Sequence, residues 1–197
     1  MKQQQGAATG LYRHVRFEMA QNLCMPRPYP AHLEGEIALR DGGRAPLRPI
    51  RPEDAERLQR FSDGLSEESR YQRFMYHLRE LTPRMLERFT QLDYDRELAL
   101  VALDPSKKDF IAVGRYAPSD DGVSAEFGLA VADAWQRKGL GRAMLERLCD
   151  AARAAGYVAL YGHMLESNRS MLDLVTALGF VRDARSGAEV VMTKRLK

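Results

Sequence analysis

The chain has 197 residues, 45% of them hydrophobic, which suits one compact domain with a sizeable core. Its net charge of +3 is too small to indicate a nucleic-acid-binding surface, and no apolar run approaches the ~20 residues of a membrane span. The first residues lack a secretory signal pattern, and Cys24 and Cys149 lie far apart without metal-ligand spacing. We therefore expect a cytoplasmic protein with reduced thiols, no bound metal, and neither nucleic acid nor membrane as a partner.

The first 33 residues differ in composition from the rest of the chain. They begin with polar and small residues, and the proline-rich segment 26–30 disfavours both helix and central strand. A short helix over 11–23 is the one element that the pattern suggests there. We expect residues 1–33 to form a flexible or loosely docked tail, ahead of a single domain over 34–197.

From residue 34 onward, hydrophobic periodicity predicts elements in a definite order. They are a hairpin, three helices, three strands, a long helix, a strand, a further helix and two last strands. In chain order we expect them at 36–50, 52–61, 67–77, 82–89, 98–103, 110–114, 123–131, 139–155, 157–165, 168–178, 181–183 and 189–196. Glycine after each of the last two helices supports their ends. This order predicts a mixed α/β sheet with helices on both faces.

The segment Trp135–Ala143 lies between a predicted strand and an amphipathic helix. Its two glycines leave backbone N–H groups uncovered at a helix N-terminus, where the macrodipole also favours anions. Arg137, Lys138 and Arg142 add positive charge, and no acid lies among them in the sequence. We therefore expect this turn to bind a pyrophosphate. The alternative is a basic surface loop that only caps the helix.

The spacing within the turn narrows the ligand. A Walker loop requires a Gly-Lys-Ser/Thr ending that is missing here, and a dinucleotide fingerprint requires a small residue where Met144 stands. The remaining pattern, Gln-x-x-Gly-x-Gly over 136–141, resembles the acetyl-CoA-binding motif of the GNAT superfamily of N-acetyltransferases. That resemblance implies acetyl-CoA as the cosubstrate and the GNAT fold, whose central sheet is mostly antiparallel. It assigns cofactor binding to Leu129, Ala130, Val131, Gln136, Arg137, Lys138, Gly139, Leu140, Gly141, Arg142, Ala143 and Asn168.

The resemblance covers roughly 34–197 and extends to one subfamily. The segments 47–55, 68–74, 79–82 and 93–97 are similar to the acetyltransferase domain of bacterial Pat-type protein-lysine acetyltransferases. In those proteins the domain is fused to an NDP-forming acyl-CoA-synthetase-like region, which is not present in these 197 residues. The resemblance implies direct transfer of an acetyl group to a protein lysine.

Glu126 interrupts an otherwise apolar predicted strand. Acetyl transfer to an amine needs a base for the ammonium proton, and burying an acid without purpose is costly. Pat-type enzymes have a catalytic glutamate at the matching position, so the resemblance implies that Glu126 is the general base. The alternative is a solvent-facing carboxylate paired with Arg115. An oxyanion donor is expected among the backbone N–H groups near Ala130 or Val131.

Two positions near the predicted last helix bear on the cofactor. The residue matching Asn168 lies against the pantetheine arm in GNAT proteins, although an asparagine before a helix also serves as a cap. Val175 stands where many GNAT enzymes have a tyrosine as general acid, so thiolate release would rely on water or on the product ammonium group.

One further segment, 70–76, alternates bases with aromatic residues. A core-facing stripe with a solvated face explains it better than nucleic-acid binding, with lining of the acceptor site as the second interpretation. Two alternatives to lysine acetylation remain for the whole chain. One is the same chemistry on a small-molecule amine, and the other is a non-catalytic acyl-CoA-binding regulatory module.

Overall fold

The computed structural model describes residues 28–196, apart from the side chains of 184–186. Within that range eight strands form one sheet, in the spatial order β1-β2-β3-β4-β5-β6-β8-β7. The strands are β1 (Gly35–Ala38), β2 (Arg44–Pro49), β3 (Leu98–Leu103), β4 (Phe110–Pro118), β5 (Ser124–Val131), β6 (Ala159–Leu165), β7 (Val181–Ser186) and β8 (Glu189–Arg195). Of the neighbouring pairs in this sheet, β5 with β6 is parallel and the others are antiparallel.

Helices cover both faces of the sheet. They are α1 (Ala55–Asp63), α2 (Glu67–Phe74), α3 (Pro83–Thr90), α4 (Leu140–Ala154) and α5 (Arg169–Ala177), with short 3-10 turns at Ala31–Leu33, Pro52–Asp54 and Asp133–Trp135. The predicted fold class, a mixed and mostly antiparallel α/β sheet with helices on both faces, is confirmed.

Two hydrophobic clusters lie on opposite faces of the sheet because the strands alternate their side chains. On β5, Phe127 and Leu129 point toward α4 and α5, where the larger cluster lies. Ala130 points to the other face, where α1 and α3 cover the smaller cluster. All six side chains of β3 are buried, as expected for a strand that is covered on both faces.

The sheet opens between β5 and β6. These strands pair over three positions only, from Ser124 with Ala159 to Glu126 with Tyr161. Beyond Glu126, β5 continues to pair with β4 as far as Val131, whereas β6 continues to pair with β8. The main chain of 127–131 therefore faces a gap on its β6 side.

The ends of three elements differ from the predicted ones by three residues or more. The second helix ends at Phe74 rather than at 77, because Met75 adopts a left-handed conformation with φ of 59° and donates its N–H to the Tyr71 carbonyl oxygen, 2.7 Å away. Strand β4 runs to Pro118 rather than to 114, since it pairs with β5 along that whole length. Strand β7 continues to Ser186 rather than to 183 by pairing with β8.

The predicted tail falls largely outside the described residues, as does the whole of the helix expected at 11–23. At the end of that tail, the Tyr29 hydroxyl donates to Glu34 over 2.7 Å and the Arg51 guanidinium lies 4.6 Å from the Tyr29 ring centroid. Leu33 packs against the core. The division of the chain at 33/34 stays a prediction. None of the helices within residues 28–196 is both long and apolar enough to cross a membrane.

Candidate active site

The predicted pyrophosphate turn forms the N-terminus of α4. Gly139 occupies the N-cap with φ of 91°, a conformation that L-residues rarely adopt, and its carbonyl accepts the first helical hydrogen bond, from the Ala143 N–H over 3.1 Å. Arg137 is also left-handed, with φ of 61°. The first N–H groups of α4 have no acceptor within the helix, so they point to the place where an anion would bind.

Acids outside the turn lie beside two of the three predicted cations. Lys138 Nζ is 3.2 Å from Asp41, and Arg142 Nη1 is 2.9 Å from Glu146, one helical turn further along α4. Lys138 also lies 4.7 Å from the ring centroid of Trp135. These partners hold the cations in place around the turn, so less conformational entropy is lost when an anion binds.

A fourth cation, Arg40, joins the turn from the β1–β2 hairpin. Its backbone N–H donates to the Lys138 carbonyl oxygen over 3.0 Å, and a Cβ atom added at Gly139 would lie 3.4 Å from its Cγ atom. Arg40 is exposed. It was missed in the sequence because the signal of the turn is local, whereas Arg40 precedes it by about 100 residues.

Three further predicted residues act through packing. The Leu140 side chain is buried in the core, and Ala143 packs against that core. A Cβ atom at Gly141 would lie 3.3 Å from Leu174 of α5, so glycine permits the two helices to approach closely. Any contact of Leu140 or Gly141 with a cofactor is therefore made by the backbone.

The side chain of Gln136 stabilises the turn through two hydrogen bonds. Its side-chain amide donates to the Val131 carbonyl oxygen over 3.2 Å and to the Ser69 hydroxyl over 3.3 Å. The neighbouring Asp133 accepts from the Ser66 N–H over 2.9 Å, from the Ser66 hydroxyl over 2.8 Å and from the Ser69 hydroxyl over 2.7 Å. Burial opposes the ionisation of Asp133, but the hydrogen bonds from Ser66 and Ser69 prevail and lower its pKa. This network fastens the start of α2 to the turn.

The three predicted residues of β5 divide between the two faces. The Leu129 side chain is buried toward α4, so its side chain does not face the gap, while Ala130 lines a cavity on the opposite face. Val131 ends the strand with its carbonyl bound to Gln136. What these residues present to the gap is main chain, which suits an extended arm lying alongside β5.

Asn168 is the N-cap of α5, and its Oδ1 atom accepts from the Met171 N–H over 3.1 Å. This is the capping interaction that the sequence admits as an alternative, and contact with a pantetheine arm stays a prediction. Val175 is fully buried in the larger cluster, so the tyrosine-like position holds an apolar side chain.

Glu126 lies on β5 at the last paired position before the gap opens. Its Oε1 atom is buried and has no hydrogen-bond partner among the described residues. Arg115, the partner considered from sequence, instead lies 3.9 Å from Glu97 and 4.6 Å from the Phe89 ring centroid. Burial raises the pKa of Glu126; the nearby His163 and Arg73 act against that rise, and Glu189 adds to it. A carboxylate in such a place gains from accepting a proton.

A small group of polar residues shares the sheet face of Glu126. Tyr161 pairs with Glu126 in register, and its hydroxyl lies 3.1 Å from the Ser119 hydroxyl. His163, two residues along β6, is bonded through Nδ1 to Glu189 of β8. Sequence reasoning missed this group because its members are far apart in the chain and none follows a motif.

An apolar cavity of about 40 Å³ lies on the same face, beneath α1 and α3. Ala130 and Val113 form its floor, and Leu58, Phe61 and Phe89 are among its walls. Arg73 and Arg115 also line it. The cavity therefore begins next to the part of β5 that faces the gap. Within the described residues, no three His, Cys, Asp or Glu side chains come together as a metal site requires.

Comparisons with known proteins show the family to which the chain belongs. The Acetyltransferase (GNAT) family matches residues 60–180, more than half of the chain. Acetyltransferase PA5475 of Pseudomonas aeruginosa is 34% identical over 158 residues, covering 78% of this chain and 85% of that protein. Acetyltransferase Pat of Mycolicibacterium smegmatis is 28% identical over 80% of this chain, which spans about half (47%) of that protein's length.

Among solved structures, the GNAT domain of S. lividans Pat superposes with a TM-score of 0.80 at 32% identity, covering 85% of this chain and 99% of that one. The chain belongs to the GNAT family of acetyltransferases. Proteins of this family bind acetyl-CoA as cosubstrate, and two solved structures that share only the fold with this chain, at 19% and 18% identity, hold it. The predicted family, fold, enzyme class and cosubstrate are thereby confirmed.

Proposed function

We propose that this protein transfers the acetyl group of acetyl-CoA to a lysine side chain of another protein, with Glu126 as general base. The observation that carries the proposal is the buried, unpartnered Oε1 atom of Glu126 at the point where β5 and β6 part. A carboxylate oxygen there accepts a proton from an amine on one side of the gap while a thioester lies along the other.

Direct attack of the amine on the thioester accounts for every bond and proton of the proposed reaction. The amine nitrogen attacks the thioester carbonyl carbon, and Glu126 accepts the amine proton directly or through one water. A main-chain N–H near Ala130 or Val131 stabilises the oxyanion. As the intermediate collapses, the C–S bond breaks and the CoA thiolate leaves with the electron pair. It takes its proton from water or from the product ammonium group, because Val175 offers none.

The pyrophosphate is proposed to bind at the N-terminus of α4. Backbone N–H groups from Gly139 onward would donate to its oxygens, and Arg137, Lys138, Arg142 and Arg40 would balance its charge. The pantetheine arm would follow the main chain of 129–131 in the gap.

A protein lysine is favoured over a small-molecule amine by the resemblance to Pat-type protein-lysine acetyltransferases. The GNAT domain of S. lividans Pat, which superposes on this chain with a TM-score of 0.80, supports that choice. We propose the cytoplasm as the compartment, and residues 34–197 as the catalytic domain.

The test is release of free thiol from acetyl-CoA. A purified acyl-CoA synthetase as protein acceptor is compared with a panel of small amines, and the acetylated residue is located by mass spectrometry. Glu126→Gln removes the base without changing the size of the side chain. Glu36→Gln, an exposed carboxylate of β1, is the matched control.

Lysine acetylation that is lost in Glu126→Gln and kept in Glu36→Gln is the expected result. Release with small amines alone would retain the chemistry and reject the protein acceptor. Calorimetric binding of acetyl-CoA without release from any acceptor would instead favour a regulatory acyl-CoA-binding module.

A further inference from the structure

Arg73 of α2 rests on the main chain of β5. A Cβ atom added at Gly128 would lie 2.7 Å from both Cζ and Nη2 of Arg73, closer than real Cβ contacts come. The absence of a side chain at residue 128 therefore gives the guanidinium its place on the sheet. Gly128 shares its sheet face with Glu126, two residues earlier, and with Ala130, two residues later.

Two anchors fix Arg73 in that place. At the N-terminus of α2, Asp133 holds Ser66 and Ser69 through the hydrogen bonds described above. At its C-terminus, the left-handed Met75 ends the helix directly after Phe74, whose ring centroid lies 5.1 Å from the Arg73 guanidinium carbon. The helix packs against both β5 and β6, so the guanidinium is held over the gap side of the sheet.

The other charged and titratable groups that surround Glu126 on this face of the sheet belong to β6, β8 and β4. Tyr161 and His163 belong to β6, and Glu189 of β8 binds His163. On β4, Arg115 is occupied by Glu97 and Phe89. Arg73 is the cation that α2 contributes to this face, and its charge is permanent because a guanidinium does not lose its proton in proteins.

We propose that Arg73 is a positioning residue of the acyl-transfer site, whose guanidinium, seated on Gly128, keeps the neighbouring Glu126 ionised and ready to accept a proton. The inference rests on the proposed role of Glu126 as base. Burial alone favours the protonated carboxyl, which cannot accept a proton from an amine. A fixed cation nearby offsets that effect without donating a proton of its own.

If Arg73 acts through its charge, replacing it should change the proton affinity of Glu126. A purely structural role of Arg73 would produce no such change. Arg73→Gln removes a positive charge that counters the effect of burial on Glu126, so the pKa of Glu126 should rise further. Carbon-13 NMR of the glutamate side-chain carboxyls measures this directly, with the Glu126 signal assigned by its loss in Glu126→Gln. We expect the midpoint to move up by about 1 pH unit in Arg73→Gln and to stay near the wild-type value in Arg73→Lys.

Arg70→Gln is the matched control, because it removes a positive charge from the same helix at a residue that donates to the Arg79 carbonyl oxygen. Its Glu126 midpoint should equal that of the wild type. Gly128→Ala offers a second route, since the added methyl group displaces the guanidinium while keeping its charge, and it should also raise the midpoint. Equal midpoints in folded Arg73→Gln, Gly128→Ala and wild type would overturn the proposal.

Kinetics provide the second readout. In Arg73→Gln, the pH at which kcat/KM falls on the acidic side should rise by the same amount as the Glu126 midpoint measured by NMR. Activity that is lost at low pH should therefore return at high pH. An equal loss at every pH would mean that Arg73 only supports the structure, and would reject the proposal. Lysine acetylation that persists in Glu126→Gln would reject the proposed base instead, while the NMR titration would still decide the effect of Arg73.

Discussion

The ring of Phe127 on β5 lies directly against Gly162 of β6: a Cβ atom added at residue 162 would come within 2.5 Å of the ring atom Cε1. The ring also makes an edge contact with Phe180, at 5.4 Å between centroids. Both rings are buried in the larger cluster. A glycine at this point lets an aromatic side chain fill the space under the parting strands.

Gly162→Ala should therefore destabilise the protein by forcing Phe127 out of its position. Overpacking of this kind costs about 1–3 kcal/mol, since neighbouring side chains leave their preferred rotamers. Urea denaturation would measure the loss. Gly35→Ala is the matched control, because a Cβ atom at that strand residue meets nothing within 4 Å; a loss of similar size there would contradict the explanation.

Asp54 should be among the residues on which stability depends most. It is 2% exposed, and it accepts from Arg48 Nη1 and Nη2 over 2.6 and 2.7 Å and from the Arg51 N–H over 2.8 Å. Asp54→Ala leaves the largely buried Arg48 guanidinium without its carboxylate, a change that costs about 3–5 kcal/mol. The exposed Arg44–Glu36 pair is the comparison, and Glu36→Ala should cost less than about 1 kcal/mol.

The effect of Asp54 should also depend on pH. Burial works against its ionisation, but the hydrogen bonds from Arg48 and the Arg51 N–H prevail and lower its pKa. A lowered pKa in the folded state means stability that is present above the unfolded value and lost as pH falls through the folded one. The difference between wild type and Asp54→Ala should therefore shrink in acid, and a constant difference would show that charge is not its source.

Glu126→Gln should show the opposite dependence. Because the folded-state pKa of Glu126 is raised by burial, its contribution is favourable below the unfolded value of about 4.3 and is lost as pH rises through the folded value. The neutral amide avoids this loss. The variant should thus melt a few degrees higher than wild type in mildly alkaline buffer, and the gain should vanish in acid. A variant that melts lower throughout would mean that the carboxylate is well paired.

Arg40→Gln should weaken acetyl-CoA binding by about threefold to tenfold, the range expected when one partly exposed contact between charges is lost. Calorimetry at low and at high salt would measure the effect, which should shrink as salt screens the charges. Arg147→Gln, on an exposed position of α4, is the control. Equal losses in the two variants would indicate a general effect of net charge rather than a contact at the turn.

Local patterns predicted the order of the elements and the turn at the N-terminus of α4 well. Gly139 ends up with φ of 91° at the start of α4, as expected of a glycine between a strand and a helix. The two strands that were placed too short, β4 and β7, are each extended by pairing with the strand that follows in the chain. Tyr116 and Arg115 interrupt the apolar run of β4, yet pairing with β5 carries the strand past them. Nothing in the sequence marks Met75 as left-handed.

The surroundings of the site depended on distant parts of the chain and were not predicted. Asp133 and Ser66 are 67 residues apart, yet their hydrogen bonds join the turn to α2. Asp41 reaches Lys138 in the same way. Arg73 was interpreted as part of a solvated helix face, because helical periodicity cannot show that a glycine on a strand leaves room for a guanidinium.

The separation of β5 and β6 after Glu126 has a consequence for the resistance of the protein to proteolysis. On the proposed binding mode, a pantetheine arm in that gap would make main-chain hydrogen bonds of the kind that an added strand makes. The free energy of unfolding would then rise with the logarithm of the acetyl-CoA concentration. Because proteases cleave the opened chain, the protein would be degraded more slowly where acetyl-CoA is abundant.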